Sequence, residues 1–128
     1  MSDMTTAEVE RSDGELPVPL QWRPVFQEIV RALSEGDFRL ARGIEGVNPL
    51  SRDVAEFFAD YVEDYGATLT ALPDETWDSS IYMYDEGYWE VLVDLFTVEE
   101  GRSDLVLFTR VYERGDAYAF EPWSLHVP

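Results

Sequence analysis

The sequence predicts an α+β domain: two N-terminal helices packed on one face of a four- or five-stranded antiparallel β-meander. Three observations predict it. Apolar residues recur at helical spacing in two segments before residue 66. After residue 67 the apolar period drops to two, and glycine-containing turn signals divide the remainder into segments of strand length.

The elements follow in order. Residues 1–15 are polar, acidic and without periodicity, which predicts a disordered acidic tail ahead of a single domain over 16–128. The segment Leu16-Pro17-Val18-Pro19-Leu20 is kept extended by its prolines and should lie on the body as a strap. A first helix should start near Trp22, with Pro24 in the first turn, where its missing N–H costs nothing. Val25, Phe26, Ile29, Val30 and Leu33 give it one apolar stripe, and Gly36 stops it. Residues 37–50 form a connection. A second helix should run from about Ser51 to Tyr65, with Ser51 as N-cap and Asp53 favoured by the helix dipole. Val54, Phe57, Phe58, Tyr61, Val62 and Tyr65 should form its buried stripe, and Gly66 should end it.

Residues 67–72 read as a short strand or an extended approach. Four strand segments follow, at 79–84, 88–98, 102–113 and 117–127. Asp85-Glu86-Gly87 and Glu99-Glu100-Gly101 read as three-residue loops with a glycine bulge, and Gly115-Asp116 as a two-residue turn. These turns set a register. Counting from Glu99–Gly101, Val98 faces Arg102, Leu92 faces Phe108, Glu90 faces Arg110 and Tyr88 faces Tyr112. The other face then pairs Val91 with Thr109, Val93 with Leu107 and Leu95 with Leu105. That face is uniformly apolar and should seat the helices.

Charge dominates the composition. There are 27 acidic and 9 basic residues, for a formal charge of −18, and every base is arginine. Such a surface repels nucleic acid and anionic membranes, and attracts and steers cationic partners. Solubility or a salty environment would favour the same composition. The chain has no cysteine, which excludes a disulfide framework and a thiolate metal site. No apolar run nears the roughly 20 residues that span a bilayer, and the first 20 residues carry five acids and one arginine, the wrong sign for a secretory leader. A cytoplasmic location is therefore expected.

Two constellations are candidate sites. On the second helix Asp53, Glu56, Asp60, Glu63 and Asp64 form a row of carboxylates, either a solvated face or a docking surface for a basic protein. On the second sheet face the register collects Tyr88, Glu90, Asp94, Phe108, Arg110 and Tyr112. With a two-residue final turn, Glu121 joins Arg110 and Trp123 joins Phe108. The result is a cation between carboxylates rimmed by aromatics: a structural ion pair, a ligand pocket or a protein-binding face. No catalytic residue is assigned, and no cofactor or metal is expected. The only histidine, His126, is two residues from the C-terminus, and no EF-hand, Walker or dinucleotide loop is present.

Trp22-Arg23-Pro24-Val25, Thr76-Trp77, Trp89 through Leu95, Glu99 through Leu105 and the terminal His126-Val127-Pro128 resemble a bacterial family of small acidic domains of unknown function, over about residues 22–128. The resemblance carries no activity and no site residue. By analogy of class, small acidic bacterial domains serve as immunity partners of toxins. The expectation is a non-catalytic binding protein that neutralises a basic toxin or engages another basic protein. The alternative is a small-molecule-binding or catalytic cup with Glu90, Asp94 and Arg110 on its floor.

Overall fold

The computed structural model describes residues 9–128. Its sheet has five strands in the order β1 (Leu16–Pro17), β2 (Ile81–Asp85), β3 (Tyr88–Thr97), β4 (Gly101–Arg114) and β5 (Ala117–His126). Every neighbouring pair is antiparallel. Two α-helices, α1 (Arg23–Ser34) and α2 (Arg52–Tyr65), precede β2. The architecture is the expected α+β meander.

Local chemistry explains the helix limits. In α1, Pro24 occupies the first turn, Phe26, Ile29, Val30 and Leu33 are buried, and Gly36 follows at φ 91°. In α2, the Ser51 hydroxyl accepts from the Val54 N–H at 3.2 Å, and Gly66 closes the helix at φ 85°. The expected stripe of α2 needs correction. Ala55 and Phe58 are its buried residues, whereas Phe57 is 45% exposed.

The fifth strand is not residues 67–72. There the only ladder contact is an isolated bridge between Leu69 and Thr97. The strap supplies it instead, as Leu16 pairs with Tyr82 and Pro17 with Ile81. Proline is tolerated there because β1 is an edge. Of the tail expected over 1–15, residues 1–8 lie outside the described residues. Residues 9–13 run against the sheet: Val9 is buried, the Trp89 Nε1–H donates to the Glu10 carbonyl at 3.0 Å, and the Tyr84 N–H donates to the Ser12 carbonyl at 2.8 Å.

The strand register holds over most of the sheet and shifts at two irregularities. Glu90 faces Arg110, Leu92 faces Phe108 and Val93 faces Leu107, as the turn count predicts. Past Asp94 an irregularity moves the pairing, so Phe96 rather than Val98 faces Arg102, and Leu95 with Leu105 drops out of the ladder. Val98 lies in the turn and donates to the Thr68 carbonyl at 2.9 Å. A second bulge separates Thr109↔Pro122 from Phe108↔Ser124, which leaves Trp123 as the extra residue. The β2–β3 turn is also tighter than expected. Asp85 pairs with Tyr88, so Glu86-Gly87 is a two-residue turn with both residues at positive φ, 28° and 105°.

The core lies between the helices and the face carrying Trp89, Val91, Val93, Leu105, Leu107, Val111 and Leu125. Trp22, 1% exposed, stands at its centre. Its ring meets Tyr82, Trp89, Tyr118 and Phe120 edge-on, at centroid distances of 5.7, 5.6, 5.4 and 5.9 Å. Such geometry is favourable beyond simple area burial. One side chain therefore joins the start of α1 to three strands.

A left-handed backbone favours glycine or asparagine over glutamate. Glu86→Asn should therefore raise stability by about 1 kcal/mol in urea unfolding. An unchanged or lower midpoint would contradict the turn geometry.

Candidate functional site

The open face of the sheet gathers most of the expected cluster, held by the β3–β4–β5 register. The Arg110 Nε lies 3.5 Å from Glu90 Oε1, an ion pair without hydrogen-bond alignment. The guanidinium carbon is 4.9 Å from the Tyr88 ring centroid and 4.7 Å from that of Trp123. The Trp123 Nε1–H donates to Glu90 Oε2 at 2.7 Å. The cation is thus held by one carboxylate and two aromatic faces.

Glu121 is placed as the register requires, opposite Arg110, but it is exposed and forms no ion pair among the described residues. The bulge explains this, because it turns Trp123 onto the guanidinium. Asp94 does not join the cluster either. It lies four residues from Glu90, about 13 Å along an extended strand. Its carboxylate accepts from the Ser79 hydroxyl, its N–H donates to the Ser80 hydroxyl at 2.9 Å, and its carbonyl accepts from the Thr76 hydroxyl at 2.7 Å. Asp94 fastens the segment before β2 to β3.

A chain of rings extends the cluster. Tyr112 meets Tyr88 at 5.7 Å, and Phe108 meets Trp123 at 5.7 Å. His126 stacks on Phe108 at 4.4 Å with the planes 4° apart, and its Nδ1 is 2.7 Å from the Ser124 hydroxyl. His126 then meets Tyr61 of α2, and Tyr61 meets Phe57. Sequence reading missed His126, Tyr61 and Phe57 as members of this surface. The signal for Phe57 was its place beside Glu56 and three residues before Asp60, which puts it on the border of the acidic row.

Asp53, Glu56, Asp60, Glu63 and Asp64 are all exposed, and none is ion-paired among the described residues. The arginines of the described ion pairs, Arg11, Arg42 and Arg110, are engaged with Glu113, with Glu35 and Asp37, and with Glu90. The aromatic chain and the acidic row therefore share a boundary at Phe57.

Surface hollows border the cluster and α2. One of about 310 Å³ lies between residues 46–54 and the outer strands, and is lined by Tyr112, Glu121 and Trp123 among others. Another, of about 500 Å³, lies between residues 36–41 and α2. Glu90, Asp94 and Arg110 line neither. Among the described residues no group of three or more histidines and carboxylates has metal-site geometry. No helix of the described residues is long and apolar enough to cross a membrane.

Burial pushes the Glu90 carboxyl above its ordinary value of 4.5, against the opposing pull of the Trp123 N–H and Arg110. A raised folded value means the native state binds the proton more tightly than the unfolded chain. Its stabilising contribution is complete below pH 4.5 and declines as pH rises through the folded value. Relative to Glu90→Gln, the wild type should therefore lose stability as pH rises from 4.5 toward neutrality. Urea unfolding of both proteins across that range checks this, and a difference constant with pH would contradict it.

No curated protein and no solved structure matches this chain. A family model described as a domain of unknown function, DUF7668, matches residues 30–128, from the middle of α1 through β5. That span covers both candidate surfaces, and the chain belongs to this family.

Proposed function

We propose that this protein is a non-catalytic binding protein for a basic protein partner, docked over the acidic row of α2 and the aromatic chain that borders it. An immunity-type role, in which the partner is a basic toxin, is the specific form of this reading. The observation that carries it is the row itself: five exposed carboxylates on one helix, unpaired among the described residues, in a chain of formal charge −18. Like charges at helical spacing cost a few tenths of a kcal/mol per pair. A cationic partner removes that cost and is steered to the surface by the same field.

The adjoining rings supply what charge alone does not. Trp123 is 39% exposed and Phe57 45%. Aromatic and arginine side chains are the residue types that dominate interface energies. The sheet beneath is braced by the β3–β4–β5 register, so little order has to be gained on binding.

The cup reading has less support. Asp94 is engaged in fastening, and the hollows beside the outer strands and α2 are not lined by Glu90 or Arg110.

The test begins with capture from lysate, identification of the captured protein and its purification. Association rates are then measured at two salt concentrations. Replacing Asp53, Glu56 and Asp60 by their amides should leave the fold intact, hold or raise thermal stability, and slow association roughly tenfold at low salt. Trp123→Ala should act mainly on dissociation. Equal association rates for wild type and the triple variant at low salt would remove α2 from the interface. A captured protein without excess positive charge would contradict the reading itself.

A further inference from the structure

Residues 9–13 run beside β2 and touch β2, β3 and β4 in turn. Tyr84 of β2 and Trp89 of β3 stand edge to face at 5.2 Å, and the Arg11 guanidinium carbon lies 5.6 Å from each ring centroid. The same guanidinium pairs with Glu113 of β4. Val9, two residues earlier, is buried in the core cluster. The residues that alternate with these two contribute their main chain. The Glu10 carbonyl accepts from the Trp89 Nε1–H at 3.0 Å, and the Ser12 carbonyl accepts from the Tyr84 N–H at 2.8 Å. Side chains from alternate positions and carbonyls from those between are how a sheet edge reads an added extended peptide.

We infer that this edge groove is a peptide-binding site filled in cis by residues 9–13, and that it takes from a partner protein an extended segment with an arginine two residues after an aliphatic one. The cis occupant defines the ligand. A planar guanidinium lies against two rings while it pairs with a carboxylate, which a lysine ammonium does less well. The occupant is also built to leave. Val9 is the only aliphatic residue among the five, and Arg11 and Glu113 are both exposed, so their ion pair is weak by itself. Asp13 and Gly14 bend the chain ahead of β1, with the Gly14 N–H donating to the Ser12 hydroxyl oxygen at 3.1 Å. Glycine at that bend lets residues 9–13 swing away while Leu16 and Pro17 keep their pairing with β2. The short tether keeps the strap at high local concentration, so a competing segment succeeds when other contacts hold it nearby. Release of the strap would leave the Tyr84 N–H on an open edge, ready for that segment. The inference goes beyond the proposed function, because no residue of α2 or of the aromatic chain takes part.

The test uses the full chain, its double variant Val9→Ser with Arg11→Ala, and a peptide of residues 9–14 capped at both ends. In the variant the Trp89 indole N–H and Tyr84 amide resonances should leave their wild-type positions in NMR spectra. Added peptide should return them toward those positions. The same peptide with citrulline in place of its arginine should do so at least about fivefold more weakly. The wild type, with its groove filled, should respond far less at the same concentrations. In the wild type alone, the Tyr84 amide and the Trp89 indole should exchange hydrogen faster than the Val91 and Leu92 amides, at rates insensitive to low urea, as local opening requires.

Unmoved resonances in the variant, no return on adding the peptide, or an equal return with citrulline would overturn the inference. If the double variant does not fold, exchange in the wild type decides. Exchange of the Tyr84 amide and the Trp89 indole only through global unfolding would then overturn it.

Discussion

The pairing of β3 with β4 is the constraint on which the rest of the structure depends. A slip of one residue would exchange the two faces of a strand. Glu90 opposite Arg110 and Val93 opposite Leu107 put the ion pair outside and the aliphatic row inside. From that choice follow the seat of the helices and the water-facing cluster. An antiparallel sheet tolerates one wet face, because its side chains alternate and its backbone groups are satisfied within the ladder. The open face can therefore carry polar and aromatic groups that the core could not.

The core responds to the same constraint through Trp22. Its four edge-on ring contacts tie the beginning of α1 to β2, β3 and β5. The indole fills the end of the sheet where Tyr82, Trp89, Tyr118 and Phe120 converge.

Much of this was legible in the sequence, for reasons that can be traced to particular residues. Ser51, Gly36 and Gly66 mark helix limits because capping is local chemistry. Glu90 opposite Arg110 was read from a turn count that the irregularity after Asp94 restores, because the turn itself pairs Thr97 with Gly101. What was not legible needed information from a distance. The irregularity after Asp94 and the bulge at Trp123 are invisible to counting, and the second brings the Trp123 ring over Arg110 while Glu121 stays its register partner without an ion pair among the described residues. Leu16–Pro17 became a strand only because β2 offered an unpaired edge. Phe57 belongs by composition to an apolar stripe, yet the arc of α2 that reaches the core is narrower than that stripe and includes Ala55 instead. The stack of His126 on Phe108 depends on the same bulge, which sets the register of the last strand.

The central claim is that the aromatic chain and the acidic helix form one surface that a basic protein covers. Hydroxyl-radical footprinting of the free protein and of its complex with the purified partner tests it most directly. Trp123 and Phe57, exposed in the free chain, should be oxidised readily alone and protected in the complex, while the buried Trp22 and Trp89 stay slow in both. Oxidation of Trp123 and Phe57 at the same rates in the free and bound states would contradict the account.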